Sequence, residues 1–348
     1  MKVLEINTEK SWRGGERQTI YNAEGLISIG ITVELLCLKN FPLAAKATTA
    51  KIPVHLVAGM LSALFYLIRN ARQFDVLHAQ TAKTQFYAVL TKPFHHRKVV
   101  YTRRVDFVPN GWLTKMKYAF TEKTIAISDA IKNILETFGV KNVEVISDAV
   151  AEKKLNTERA KKLIADNNWI GKKIIATTAA FVPHKDPLTM VNAIAALSQM
   201  RNDFVFLHFG DGILKTAIEE KIIDLQLTDY YKLMGFADEV EDFFSVYDVF
   251  VMSSEEEGLG SSVLDSFIYK VPVATTDAGG LKELVAENGL TCPVKDHQSL
   301  AANIYRLLED KQLCNQLTEK AYGYVLEKHS VKKIAMDYIA LFNKLCKH

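Results

Sequence analysis

Glu257 and Asp265 stand eight positions apart in the run Ser253-Ser-Glu-Glu-Glu-Gly-Leu-Gly-Ser-Ser-Val-Leu-Asp265. Carboxylates accept hydrogen bonds from hydroxyls. Gly258 and Gly260 break the loop between them, and a helix-like segment follows. Bare backbone amides and a helix N-terminus therefore lie beside the acids, and both favour an anion. The combination suits one ligand that carries a phosphate and a polyol. The spacing puts Glu257 in the loop and Asp265 about two turns into the helix. An apolar strand, residues 248–252, leads into this loop, and a second, residues 271–275, follows the helix and runs on to Gly279-Gly280.

Other residues offer parts of the same chemistry. Gly14-Gly15 follows the first strand and a short polar loop, and opens a helix over residues 16–29. Paired glycines there let amides approach a phosphate closely. The pair is neither G-x-G-x-x-G nor a P-loop, and by itself it reads as a glycine turn. Lys185, in Phe-Val-Pro-His-Lys-Asp-Pro after the strand at residues 173–177, can place an ammonium on a diphosphate. Gly210-Asp211-Gly212 reads as a turn. Arg103-Arg104 ends another strand, where two guanidiniums suit phosphate or carboxylate. His78 also ends a strand and reads as structural. The His95-His-Arg-Lys98 run precedes a strand and reads as exposed surface.

These residues need strands to carry them and helices to space them. Strand-like runs fall at residues 2–7, 32–38, 54–56, 76–78, 98–101, 124–127 and 143–146, with helix-like stretches such as 16–29, 60–73 and 130–138 between them. After a weakly apolar, Lys-rich stretch over 149–171 the alternation restarts, with strands at 173–177, 204–209, 231–234, 248–252 and 271–275. Such alternation predicts parallel sheets covered on both faces. Two series predict an α/β protein of two doubly wound domains with a ligand cleft between them, beyond the strands' C-terminal ends. The division expected is 1–165, 166–330, and a C-terminal helix over 331–348 that can cross back to the first domain.

The chain has 348 residues, a net charge of +3 and 49% hydrophobic residues, enough for two ordinary cores. Residues 1–150 carry 20 Lys+Arg against 12 Asp+Glu, while the remainder carries 23 against 28. The basic half suggests an anionic partner. No apolar run approaches the ~20 residues that span a bilayer, and the N-terminus lacks a secretory apolar region. A cytoplasmic protein is expected, with peripheral contact at the inner membrane face as a compatible variant. The stretch 60–73 is amphipathic and basic enough to lie on a membrane, but reads first as a core-facing helix. Cys37, Cys292, Cys314 and Cys346 lack metal-site or disulfide-framework spacing. No aromatic–basic platform for nucleic acid is present.

In order and combination these motifs resemble the retaining glycosyltransferases of family 4, over essentially the whole chain and most strongly over residues 174–290. Glu257-Gly-Leu-Gly followed by Asp265 resembles that family's E-x7-E signature, with Asp for the second Glu. Val271-Pro-Val-Ala-Thr-Thr-Asp-Ala-Gly-Gly-Leu-Lys-Glu283 is similar to its PVVATD-x-GG-x-x-E run. Gly14-Gly15-Glu16-Arg17, Ser128-Asp-Ala-Ile131, Gly210-Asp-Gly212 and Met234-Gly-Phe236 fall where the family has its Gly-Gly loop, SEAI, GDG and LG.

The resemblance implies a GT-B fold, two Rossmann-like domains facing a cleft, and transfer of a sugar from a UDP- or GDP-type nucleotide donor to a glycan or lipid-linked hydroxyl acceptor. It implies no cofactor and no bound metal. Gly14, Gly15 and Lys185 would hold the donor diphosphate. Glu257 and the amides of Gly258, Leu259 and Gly260, with Ser261 beside them, would grip the sugar. Asp265 would accept from the ribose, and the base would lie near Gly235 and Phe236. Arg104 falls where many members carry a His, and would supply phosphate charge or bind an acidic acceptor. Three further departures are the shortened Asp265, Ala180 in place of an Arg five residues before Lys185, and Ile146-Ser-Asp-Ala-Val150 in place of PNGVD. A nucleotide-sugar epimerase on the same plan and a catalytically weak nucleotide-sugar-binding subunit are the competing readings.

Overall fold

The computed structural model describes residues Met1–Lys347, which form two α/β units. The first comprises Met1–Ala151 and the chain from Lys328 onward; the second is Glu152–Glu327. The first sheet contains β1 (Lys2–Ile6), β2 (Thr32–Leu38), β3 (Val54–Val57), β4 (Val76–Ala79), β5 (Lys98–Arg103), β6 (Lys123–Ala126) and β7 (Val143–Val145), in the order β3-β2-β1-β4-β5-β6-β7. The second contains β8 (Lys173–Thr178), β9 (Phe204–Phe209), β10 (Tyr231–Gly235), β11 (Val249–Met252), β12 (Val273–Thr276) and β13 (Leu290–Cys292), in the order β10-β9-β8-β11-β12-β13. All strand pairs are parallel. Helices cover both faces of such sheets, so central strands are apolar throughout. Every residue of β9 is buried.

Strand order reverses between β1 and β4 in one sheet and between β8 and β11 in the other. At such a switch the connections leave in opposite directions and open a crevice beyond the strands' C-terminal ends. Within each unit, the residues following these strands, β1 and β4 in the first and β8 and β11 in the second, are the ones the topology sets beside such a crevice.

The structure corrects four expectations. The boundary falls at Ala151–Glu152 rather than at 165–166. The helix Thr157–Asp166 belongs to the second unit, where Arg159 meets the Asp242 carboxylate at 3.2 Å and lies 4.8 Å from the Phe243 ring. Its anchors are polar and cation–π, so no apolar stripe marked it. Second, β13 was not anticipated; three residues are too few to show a period. Third, only one side of the segment 60–73 faces the core, where Ala63, Leu67 and Ala71 join a buried cluster with Leu64 and Tyr66 packed against it. The segment forms the helix Met60–Asn70, which buries only Ala63 and Leu67 and leaves Leu61 78% exposed. Fourth, His95 is buried, with its Nε2 near the Ala88 carbonyl at 3.1 Å.

The C-terminal helix Val331–Cys346 packs in the first unit, with Tyr338 and Phe342 in its core. A Cβ at Gly25 would stand 2.9 Å from Val331 Cγ1 and 3.0 Å from Ala335 Cβ, so this glycine permits the helix crossing. Exit and return of the chain are joined: the Val150 amide donates to the His329 carbonyl at 2.8 Å.

Candidate active site

In the second unit the candidate residues lie on the connections after β8 and β11. Beyond β8 the chain makes a short turn, Pro183–Lys185, then Asp186 at φ +40, whose carboxylate caps the helix Pro187–Ser198 by accepting from the Thr189 amide at 3.1 Å. The loop after β11 is stitched to this turn. Ser253 Oγ donates to the carbonyls of Lys185 (3.1 Å) and Asp186 (2.9 Å), and the Glu255 amide donates to the His184 carbonyl at 2.9 Å. The stitching brings Lys185 Nζ into an ion pair with the Glu257 carboxylate. Both side chains are more than four-fifths buried, so the pair is weakly screened.

Two glycines make the acidic loop possible. A Cβ on Gly279 would overlap the Glu257 carbonyl oxygen, and one on Gly280 would overlap that of Gly258. Gly279 also has φ +47, which disfavours any side chain. The Gly280 amide donates to the Glu257 carbonyl at 2.8 Å. Thr276 Oγ1 donates to the Ser254 carbonyl at 2.6 Å, fixing the loop's other limb. Gly260, at φ +96, then turns the chain into the helix Ser261–Ile268. Asp265 is the fifth residue of that helix, a little over one turn in and not two, because the loop persists to Gly260. It is 4% exposed. Gly210 and Gly212 likewise admit the carbonyls of Ala179 and Phe181, so the turn between them buttresses the approach to Lys185. Gly235, at φ +69, ends β10, and Phe236 beside it is exposed.

In the first unit the candidate residues lie at the ends of β1, β4 and β5. The helix after β1 starts at Gly14 rather than residue 16, and the Glu16 carboxylate accepts from the Arg13 amide at 2.9 Å. Among the described residues, and apart from its chain neighbours and the backbone of its own helix, no atom lies within 4 Å of a Cβ built on Gly15, so packing does not require glycine there. Lys83 Nζ donates to the Thr8 carbonyl at 3.2 Å and holds the loop.

Arg104 donates through Nε to Asp148 Oδ1 at 2.8 Å and through Nη1 to Gln80 Oε1 at 2.7 Å; its Nη2 is buried without a hydrogen-bond partner among the described residues. Burial opposes its charge, but the Asp148 carboxylate outweighs it and raises the guanidinium's pKa. Behind Gln80 lies a buried relay: Glu5 bonds Gln80 and His78 Nδ1 (2.9 Å), His78 Nε2 meets Thr102 Oγ1 (2.8 Å), and Thr102 meets the Tyr338 hydroxyl (3.0 Å). His78 is thus structural, as its sequence suggests.

Arg103 departs from expectation. It does not join Arg104 but turns into the following loop, bonding the carbonyls of Val105 and Phe107 and the Tyr118 hydroxyl. Adjacent strand residues point to opposite faces, so one of the two was bound to turn away. Sequence reasoning passed over Gln80, Asp148, Ser253 and the packing reason for Gly279-Gly280. Only the odd 146–150 stretch carried any signal for Asp148.

Comparison with known proteins agrees with this layout. The family model for glycosyl transferases group 1 matches residues 157–324, and that for Glycosyltransferase Family 4 matches residues 12–153. The lipopolysaccharide core biosynthesis glycosyltransferase LpsE of Rhizobium meliloti is 28% identical over 170 residues, 48% of this chain and 49% of that protein. The poly(ribitol-phosphate) alpha-N-acetylglucosaminyltransferase of Staphylococcus aureus is 26% identical over 215 residues, 61% of this chain and 41% of that one. The chain thus spans half or less of either relative. Anabaena HepE, solved with UDP and glucose, superposes with a TM-score of 0.87 at 18% identity, over 99% of this chain and 100% of that one. TarM of S. aureus superposes at 0.80, with 14% identity, over 98% of each chain.

Proposed function

This chain belongs to the group 1/family 4 glycosyltransferases of GT-B fold, and from that premise we propose that it moves a hexosyl-type sugar from a nucleotide diphosphate donor to a hydroxyl acceptor, with retention at the anomeric carbon. The observation that carries the reading is the Lys185–Glu257 pair at the β8/β11 switch, on a loop that Gly279 and Gly280 hold in place. Lys185 supplies charge for the donor diphosphate. Glu257, the amides of Gly258, Leu259 and Gly260, and Ser261 hold the sugar. Asp265 accepts from the ribose, and Gly235-Phe236 offers backbone and an exposed ring to the base. Gly14 and Gly15 lend amides to phosphate. Arg104, its charge secured by Asp148, binds an anionic group of donor or acceptor.

The C1–oxygen bond to the diphosphate breaks, and the leaving oxygen gains charge. Lys185 and the amides stabilise that charge more in the transition state than in the ground state, so we assign the neutralising role to them rather than to a metal. The acceptor oxygen bonds to C1 on the same face, and its proton passes to the departing phosphate oxygen. No side-chain nucleophile is assigned. HepE binds UDP and glucose, and two relatives are named for lipopolysaccharide core and poly(ribitol-phosphate) glycosylation. They favour a UDP-sugar donor and an acceptor in cell-envelope glycan or glycolipid synthesis.

A melting-temperature screen across nucleotide diphosphates and their sugars tests the donor, since stabilisation follows RT ln(1 + [L]/Kd). One nucleotide, uridine before guanosine, should stand out, and NMR of the product should show the donor's anomeric configuration. A flat screen, or an inverted product, contradicts the reading. Gly15→Ala offers a separate check. Packing tolerates the methyl, so the melting temperature should hold or rise. Donor affinity should fall roughly tenfold, about 1.4 kcal/mol, if phosphate approaches that backbone. Unchanged affinity by calorimetry would remove Gly15 from the site.

A further inference from the structure

Four neighbouring helices in the first unit, Met60–Asn70, Ala82–Leu90, Lys92–His95 and Trp112–Ala119, carry an apolar surface that the fold does not cover. They are tied side by side: Arg72 Nε donates to the Phe94 carbonyl at 2.8 Å, and Lys92 Nζ to the Phe120 carbonyl at 2.7 Å. Leu61 and Trp112 are 78% and 68% exposed, and Phe65, Phe86, Phe94 and Leu113 are exposed with them. Single exposed apolar residues are ordinary, but a contiguous set marks a contact surface.

Charge identifies the contact. The four helices bear Arg69, Lys83, Lys92, Lys115 and Lys117 and no Asp or Glu. Three acids from other segments lie near them: Glu122 pairs with Lys92 at 2.6 Å, Glu34 lies close to Tyr66, and Glu9 close to Tyr87. The whole unit carries 25 Lys+Arg against 13 Asp+Glu, whereas the second unit carries 18 against 27. The Arg69 guanidinium lies 4.4 Å from the Phe65 ring centroid, so cation and apolar body share one patch. Arg103 adds rigidity, because its bonds to Val105 and Phe107 hold a loop whose Phe107 and Val108 are also exposed.

We propose that this helical layer is the surface by which the protein rests on an anionic lipid bilayer, its rings and leucines at the acyl boundary and its Lys and Arg among the headgroups. Apolar insertion plus attraction to anionic lipid is the physics of interfacial helices. The helices are too short to span a bilayer, and among the described residues none is long and apolar enough to cross one.

Sedimentation of the full chain with vesicles, without donor, tests this independently of transfer chemistry. Vesicles of phosphatidylcholine containing phosphatidylglycerol should carry the protein down, and phosphatidylcholine alone should do so roughly tenfold less. Leu61→Ser/Phe65→Ser and Trp112→Ser/Leu113→Ser should each cut anionic partition roughly tenfold while circular dichroism and nucleotide-induced melting shifts stay unchanged. Arg69→Glu, a change of charge alone, should weaken it as well. Wild-type protein left in the supernatant, equal binding to neutral vesicles, or full binding by folded double variants overturns the proposal. So does a dimer in light scattering that Leu61→Ser/Phe65→Ser dissolves, which would make the surface a contact between copies.

Discussion

Lys185→Ala is expected to lower kcat/KM for the nucleotide-sugar donor by about a hundred- to a thousandfold, in line with deleting one pre-organised group that meets developing charge. Most of the loss should fall on kcat. The diphosphate is already anionic in the ground state, but its bridging oxygen gains charge only as the glycosidic bond breaks. The ion pair with Glu257 adds a second consequence. Removing the ammonium leaves a carboxylate 13% exposed without that partner, which costs stability as well as turnover. Glu257→Ala removes a different function, the grip on the sugar, and leaves the cation. The double variant should therefore lose less than the sum of the single losses, because the two groups share one hydrogen-bonded pair. Steady-state kinetics on all three proteins measures the coupling. A Lys185→Ala enzyme within threefold of wild type would remove the diphosphate role.

Gly279→Ala should be nearly as damaging, although that residue has no side chain to offer a ligand. Its φ of +47 is unfavourable for alanine, and the new methyl would overlap the Glu257 carbonyl oxygen. Strain at such a site costs about 1–3 kcal/mol, and forcing a methyl into a packed contact costs about as much again. The backbone can relieve the clash by moving Glu257, and a displacement near 1 Å costs about a hundredfold in rate. A lower melting temperature together with a kcat/KM loss near a hundredfold is expected, with Gly15→Ala as the contrasting case in which stability holds. A Gly279→Ala protein with wild-type melting and turnover would mean that the loop is not held as described. The nucleotide-induced melting shift separates a displaced loop, which still binds weakly, from an unfolded unit, which does not bind.

Much of the fold was legible because parallel sheets covered by helices write apolar runs and 3.6-residue periods directly into the chain. Thr32–Leu38 and Phe204–Phe209 could be delimited to the residue. The three-residue strand Leu290–Cys292 and the helix Thr157–Asp166 could not, since one is too short for a period and the other is anchored by polar contacts. The helix Met60–Asn70 was visible as a helix facing the core, but not that its apolar residues divide, with Ala63 and Leu67 inward and Leu61 and Phe65 outward. An apolar stripe satisfies a core and a membrane equally well.

By itself, then, the sequence determined the element order, the glycine-broken acidic loop and the residue types able to meet phosphate and hydroxyl. The tertiary structure decided which of those residues meet. Lys185 and Glu257 are 72 positions apart, and only the strand order β8-β11 makes them neighbours. Arg103 and Arg104 are adjacent in sequence, yet the strand's alternation gives one to a loop and the other to Asp148 and Gln80. Gly279 and Gly280 matter because another segment's carbonyls press against them. Local patterns report the forces acting within a few residues. Pairings across a sheet depend on which crossover connections the whole chain adopts, and no short stretch of sequence contains that information.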